Sequence, residues 1–349
     1  MNAAAAADTP AEKFRPHFEK VANGEPLTEE EAADAFDAIM EGGIPEVQLA
    51  GFLVAMKARG ETVDEITGAV RVMRGRMRRV TAPEGAIDVV GTGGDAKGTY
   101  NISTATAFVL AGGGVPVAKH GNRAVSSKSG AADVLESLGV NLAATPEGAA
   151  RALSEAGVAF LFAPAHHPAM RHAAPVRQGL RLRTIFNLLG PLSNPAGVRR
   201  QLVGVFASQW VVPLAQVLQR LGADHVWVVH GSDGLDELST TGETHVAELK
   251  DGRIREFTVT PADVEVDATA LPNLLAGTPP ESAEAMRRLL DGEHGPFRDI
   301  VLLNAAAAFI VAGKARSLGE GAAMAAASLD QGKAALALNR LIAICKADQ

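Results

Sequence analysis

The sequence predicts an α/β protein: a mostly parallel central sheet flanked by helices, with a small N-terminal all-helical domain and a hinge between them. Three observations carry this prediction. The first eighty residues hold capped, spaced apolar segments with no strand between them. From Ala86, short Val- and Ile-rich runs alternate with alanine-rich helical runs. The tail from Phe297 to Lys346 returns to helices. Parallel strands need long crossovers, and the intervening helices supply them.

Each element follows in order. "PLTEEEAADAFDAIMEGG" pairs Thr28 with Glu31 as a capping box and stops at Gly42 and Gly43. "IPEVQLAGFLVAMKARG" places Pro45 near its start, and "ETVDEITGAVRVMRGRM" offers Thr62 and Glu65 as a second cap pair. These three short helices make the small domain. "IDVV", "VPVA", "VAFLF", "LVGVF" and "HVWVV" have the length and character of buried strands. "THVAELKDGRIREFTVTP" alternates around Asp251-Gly252 and reads as a hairpin. The segment from His166 to Pro195 has weak strand character, two prolines near its end and many arginines. It is expected to leave the sheet and pack on the N-terminal helices, so that two connections join the domains and a cleft opens and closes between them. The expected helical domain covers residues 11–80, completed by about 168–195; the α/β domain covers 86–165 and 198–346.

A chain of 349 residues, 47% apolar and 21% charged, can bury one large core or a large core with a satellite domain. A net charge of -7 without a long basic block gives no footprint for nucleic acid or an acidic membrane surface. Small molecules or another protein chain are the expected partners. One cysteine, Cys345, supports neither an intramolecular disulfide nor a thiolate metal site, which suits a reducing cytoplasm. Met1 to about Pro10 reads as a loose tail, and the longest apolar runs are too short to span a membrane.

The chemistry-bearing residues gather after the expected strands. "GTGGDAKG" puts Gly91, Gly93, Gly94 and Gly98 after the first strand, but in the register of neither a dinucleotide fingerprint nor a P-loop. Alone, such a turn is a weak signal, because some are only tight corners or close-packing devices. "NIST", Asn101 to Thr104, starts the next helical run, where free N–H groups and hydroxyls favour an anion. "KHGNRAVSSKSG" brings Lys119, His120, Asn122, Arg123, Ser126, Ser127 and Lys128 close behind "VPVA". Open parallel sheets collect ligand loops at the carboxyl ends of their strands, so these two loops could clamp a substrate bearing phosphate at both ends. "GSDGLDE" adds Asp233, Asp236 and Glu237. Carboxylates beside phosphate call for a cation, and oxygen-only ligands point to Mg2+ before zinc. Arg171, Arg177, Arg181, Arg183, Arg199 and Arg200 are mostly surface or interdomain charges, one of which could read a carboxylate bidentately. No GxSxG elbow or HExxH pair is present, and the adjacent His166 and His167 are better suited to shaping a pocket than to sharing a metal.

"GTGGD", "NIST", "KHGNRAVSSKSGAADVLE", "FAPAHHPAM", "PVR", "RTIFNLLGPLSNP" and "VHGSDGLDE", in that order, resemble the anthranilate phosphoribosyltransferase family over essentially Phe14 to Lys346. The resemblance implies transfer of the phosphoribosyl group from 5-phospho-α-D-ribose 1-diphosphate to the amine of anthranilate, with release of diphosphate. That reaction is the second step of tryptophan biosynthesis from chorismate. It implies a donor site of Gly91, Gly94, Asp95, Thr99, Asn101, Ile102, Ser103, Thr104, Lys119, His120, Gly121, Asn122, Arg123, Ala124, Val125, Ser126, Ser127 and Ala131. Anthranilate would meet Gly91, His120, Asn122, Pro164, His167 and Arg177, the last facing its carboxylate. Ser103, Asp236 and Glu237 would hold Mg2+, two ions per active site, with no covalent nucleophile or essential general base. The resemblance further implies a homodimer joined through the helical domain. A pyrimidine-nucleoside phosphorylase or a nucleic-acid-binding relative of the same fold are the alternatives, disfavoured by the full motif series and the acidic charge. Two positions depart from the family pattern: Arg181 stands where glycine is usual, and Ala131 where serine is frequent.

Overall fold

The structure, a computed structural model, describes residues 9–123 and 129–347. In chain order its elements are α1 (Pro10–Ala22), α2 (Glu29–Glu41), α3 (Glu46–Arg59), α4 (Val63–Arg76), β1 (Ile87–Gly91), α5 (Ile102–Gly112), β2 (Val117–Gly121), α6 (Ala131–Leu138), α7 (Pro146–Glu155) and β3 (Val158–Phe162). There follow α8 (Ala163–His166), α9 (Ala174–Leu180), α10 (Ile185–Leu192), β4 (Arg200–Gly204), α11 (Val211–Arg220), β5 (His225–Gly231), β6 (Thr244–Lys250) and β7 (Arg253–Val259). The chain closes with α12 (Pro279–Leu290), α13 (Pro296–Val311), α14 (Leu318–Asp330) and α15 (Lys333–Ala347). It forms two compact units: the chain up to Met77 with His167–Ser193, and Arg78–His166 with the chain from Asn194 onward.

The first unit is all helical. Thr28 and Glu31 cap α2 reciprocally, and Thr62 and Glu65 do the same for α4. A further helix, α1, precedes the three expected ones. Thr9 and Glu12 box its start and Pro10 occupies its first turn, but Pro16 interrupts the pattern that would have announced it. The core is aromatic: Phe52 packs edge-on against Phe14 and Phe36, and Phe36 against Phe186, at ring separations of 5.0, 6.2 and 5.6 Å. Helix α2 crosses α4 at Gly68, where a Cβ would lie 2.2 Å from the Glu29 carbonyl oxygen. The segment expected to leave the sheet forms α9 and α10, which pack on α3 and α4.

The second unit holds a sheet of order β3-β2-β1-β4-β5-β6-β7. Its first five strands are parallel; β6 and β7 add antiparallel at the edge, joined by Asp251-Gly252 with φ of 50° and 71°, the left-handed pair that a two-residue hairpin turn needs. One strand is displaced from its expected position. "VPVA" contributes only its last two residues, and β2 runs on through Lys119 and His120. Pro116 has no N–H, and its carbonyl accepts from Ile87 at 3.0 Å; pairing with β3 then runs from Val117 through the polar Lys119 and His120 to Gly121. Lys119 and His120 are therefore strand residues rather than loop residues. Among the described residues, no helix is long and apolar enough to cross a membrane.

Candidate active site

The site is built where the loops after β1 and β5 and the first turn of α5 meet. Glycine permits the approach. A Cβ on Gly91 would lie 2.3 Å from Asp236 Oδ2, and one on Gly204 would lie 1.5 Å from the Asp236 carbonyl oxygen. With both positions bare, the loop after β5 lies over the ends of β1 and β4. Gly93 then donates its N–H to Asp236 Oδ2 at 2.7 Å, and the Asp236 carboxylate meets that of Asp95. Asp95 Oδ1 also accepts from the Lys97 N–H at 3.2 Å. On the other side, Glu237 Oε1 accepts from the Ser103 N–H at 3.1 Å, in the first turn of α5. Lys119 reaches in from β2, donating from Nζ to the Val89 carbonyl at 2.7 Å and to Ser103 Oγ at 3.0 Å.

This cluster sets the Asp88, Asp236 and Glu237 carboxylates around one buried ammonium, with Asp95 against Asp236. Burial pushes Asp236 up to about 7, and the Asp95 charge adds to the effect. Burial pushes Glu237 up to about 8, with repulsion from Asp236 next, while Lys119 opposes the rise. Burial lowers the Lys119 ammonium; Asp88, Glu237 and Asp236 pull it back up. Burial and mutual repulsion thus disfavour the charged forms of the Asp236 and Glu237 carboxyls, and a divalent cation between them would stabilise those forms.

The donor set fits magnesium better than a closed metal cage. Among the described residues, no three His, Cys, Asp or Glu side chains converge as a metal-holding group. Mg2+ is usually held by one or two carboxylates and completes its octahedron with phosphate and water, so Asp236, Glu237 and the Ser103 hydroxyl suffice.

The structure brings together Gly91, Asp95, Ser103, Lys119, Asp236 and Glu237 of the expected site. Asn101 and Ile102 start α5 beside them; Thr104 is buried in its first turn. Gly94 is in the left-handed region at φ 77°, within the turn. Thr99 is drawn into a short bridge with Leu275. Gly121 ends β2, its Cα face closed by Phe160 and Ala131, and Asn122 Oδ1 accepts from the Arg123 N–H. The Arg123 guanidinium turns to α6, pairing with Asp133 at 3.0 Å and Glu136 at 2.7 Å. Asp233 likewise spends its carboxylate on its own loop, accepting from Ser239 and Thr241 hydroxyls at 2.6 Å each. Ala124, Val125, Ser126, Ser127 and Lys128 lie outside the described residues. Pro164 is exposed on α8, and its neighbour His166 bonds the Arg78 carbonyl at 3.0 Å. In the helical unit, His167 is buried and Arg177 lies over the Phe186 ring at 5.2 Å, burial lowering its guanidinium.

Three residues of this neighbourhood were not singled out from the sequence: Asp88, Asn194 and Gly204. Two carried a visible signal, an aspartate in the buried run "IDVV" and a glycine inside "LVGVF".

Residues 15–77 match the helical bundle domain of a glycosyl transferase family, and residues 83–335 match the a/b domain of a glycosyl transferase family. The anthranilate phosphoribosyltransferase of Rhodopseudomonas palustris (strain HaA2) is 57% identical over 334 residues, 96% of this chain and 99% of that one. The corresponding enzyme of Rhizobium johnstonii is 58% identical over 331 residues, 95% of this chain and 98% of its own. Among solved structures, the Thermus thermophilus anthranilate phosphoribosyltransferase superposes with a TM-score of 0.89 at 48% identity, covering 94% of this chain and 99% of that one. The Saccharomyces cerevisiae enzyme, in complex with PRPP and Mg, does so with a TM-score of 0.87 at 26% identity, covering 96% and 98%. With both domain types matched in order and this identity over nearly its whole length, the chain belongs to the anthranilate phosphoribosyltransferase family.

Proposed function

We propose that the chain transfers the 5-phosphoribosyl group of 5-phospho-α-D-ribose 1-diphosphate to the amine of anthranilate, giving N-(5-phosphoribosyl)anthranilate and diphosphate. It does so as the magnesium-dependent pentosyltransferase of tryptophan biosynthesis. The observation that carries this reading is the convergence of the glycine turn after β1, the first turn of α5, Lys119 and the Asp236–Glu237 pair on one site. Such a site suits a sugar with phosphate on both ends better than a dinucleotide. It is supported by the magnesium and PRPP complex of the yeast relative.

The anthranilate amine is an aromatic nitrogen already neutral near pH 7, so the harder step is departure of the diphosphate. Magnesium, when bound, supplies charge stabilisation to the diphosphate; two ions per site are proposed. Asp236, Glu237 and Ser103 would hold it. The N–H groups of Gly93 and Ser103 hold the Asp236 and Glu237 carboxylates in place for the ion, and Lys119 supplies a buried charge that needs no reorganisation. The ribose is proposed to pass through oxocarbenium character without a covalent protein adduct. Arg177 is proposed to read the anthranilate carboxylate, with Gly91, His120, Asn122, Pro164 and His167 completing the acceptor site. Homodimer formation through the helical unit and a cytoplasmic location are also proposed. Incubating both substrates and magnesium with the protein should give N-(5-phosphoribosyl)anthranilate by mass spectrometry. Its absence would remove the proposed activity.

A further inference from the structure

The parallel ladder between β1 and β2 stops after one pair. Among the described residues, β1 pairs with β4 at five positions and β2 with β3 at five, but β1 pairs with β2 only at Ile87↔Val117. Ile87 donates its N–H to the Pro116 carbonyl at 3.0 Å, which fixes the register. In that register, the next rung would join the Val89 N–H to the Ala118 carbonyl, and the His120 N–H to the Val89 carbonyl.

Each group of that missing rung is taken by a side chain. Asn194 Nδ2 donates to the Ala118 carbonyl at 2.8 Å. Lys119 Nζ donates to the Val89 carbonyl at 2.7 Å. The His120 N–H donates to Asp88 Oδ1 at 3.1 Å, and the Val89 N–H also reaches the Asp88 carboxylate. Asn194 Nδ2 closes the set by donating to Asp88 Oδ2 at 2.7 Å. Strand twist alone would leave these groups to water or unpaired, yet all are buried and all are satisfied. A fully buried carboxylate is costly in a sheet that an apolar residue would close. Its retention points to a role beyond holding two strands together.

We propose that Asp88 and Asn194 are positioning residues that splint the β1–β2 rung open, so that the Val89 carbonyl is free to anchor the Lys119 ammonium against Ser103. An ammonium has three N–H donors. Two are spent on the Val89 carbonyl and Ser103 Oγ, which leaves the third for an anion in the site. If the rung closed, the His120 N–H would occupy the Val89 carbonyl and the ammonium would lose its anchor. The splint thus fixes where the buried positive charge meets the donor's diphosphate, and it rests on the phosphoribosyl-transfer reading above.

Calorimetric titration of the full chain with diphosphate in the presence of Mg2+ tests the splint without requiring turnover. Asn194→Ala, the milder Asn194→Ser and the near-isosteric Asp88→Asn should each weaken diphosphate binding by about tenfold, the loss expected when a charged hydrogen-bond donor is misplaced. In a Lys119→Met background, the same substitutions should change affinity by less than about twofold, because the group they position is gone. In the complete reaction, the KM for phosphoribosyl diphosphate should rise more than that for anthranilate. Wild-type affinity in a folded variant, or equal weakening with and without Lys119, would overturn the proposal. So would unfolding of all three variants, which would give the splint a purely structural role. A wild-type chain that bound diphosphate but formed no product would remove the proposed activity and leave this test standing. One that bound no diphosphate would remove both.

Discussion

At the scale of single residues, bare Cα atoms carry much of the site. Gly204 has an ordinary strand setting, and nothing in "LVGVF" says that the backbone of Asp236 lies against it. Its replacement by alanine puts a methyl group where the Asp236 carbonyl sits, so the loop after β5 must move. Gly204→Ala is expected to lower kcat/KM by at least about a hundredfold, the effect of displacing a positioned group by about 1 Å. Steady-state kinetics at saturating Mg2+ checks this, and near wild-type activity would contradict the close approach. Arg181 is the opposite case, a side chain where the backbone prefers none. It ends α9 at φ 49° and ψ 30°, the left-handed conformation in which glycine is favoured. This departure from the family pattern therefore carries backbone strain. Arg181→Gly should stabilise the protein by about 1 kcal/mol in urea denaturation. A destabilised variant would show that the guanidinium makes up for its backbone.

At the scale of elements, the outer hairpin depends on one buried carboxylate. Glu248 on β6 accepts from His225 Nε2 at 2.8 Å and Trp227 Nε1 at 2.9 Å, and from Arg255 Nε on β7. Burial alone would raise its carboxyl, but the three hydrogen bonds and the Arg255 charge win and hold it at about 2, against an ordinary 4.5. Because the folded value lies below the unfolded one, this stabilisation is fully present above pH 4.5 and is lost as pH falls through about 2. Glu248→Gln should therefore be less stable than wild type at pH 7, by on the order of 3 kcal/mol, with the gap narrowing steadily below pH 4.5. Denaturant titrations across that range measure it, and a gap of constant size would contradict the assignment.

The same scale explains what could be read from the chain alone. Capping boxes are local, and Thr28, Glu31, Thr62 and Glu65 announce α2 and α4 directly; the Asp251-Gly252 turn likewise announces its hairpin. Helix α1 is hidden by Pro16, and the start of β2 by Pro116, after which pairing with β3 runs from Val117 into Lys119. The site's carboxylates and lysine were legible from residue type and strand-end position. Their supports were not, because Asp88 meets Asn194 across 106 positions and no local pattern records such a contact. The pairing of Arg123 with Asp133 and Glu136 is equally illegible, since it depends on how α6 is set against the end of β2.

At the scale of the whole molecule, one helical unit and one α/β unit combine in a chain with a family-wide match over both. The α/β unit gathers the Asp95, Asp236 and Glu237 carboxyls at one place, where burial and mutual repulsion disfavour their charged forms and a divalent cation would stabilise them. The activity should therefore require magnesium and consume both substrates together. The direct measurement is the loss of anthranilate fluorescence on mixing with phosphoribosyl diphosphate, with released diphosphate counted in parallel, with and without Mg2+. Magnesium-dependent loss of anthranilate, matched one for one by diphosphate, is the predicted result; fluorescence that stays constant with Mg2+ present, or falls without diphosphate release, would contradict it.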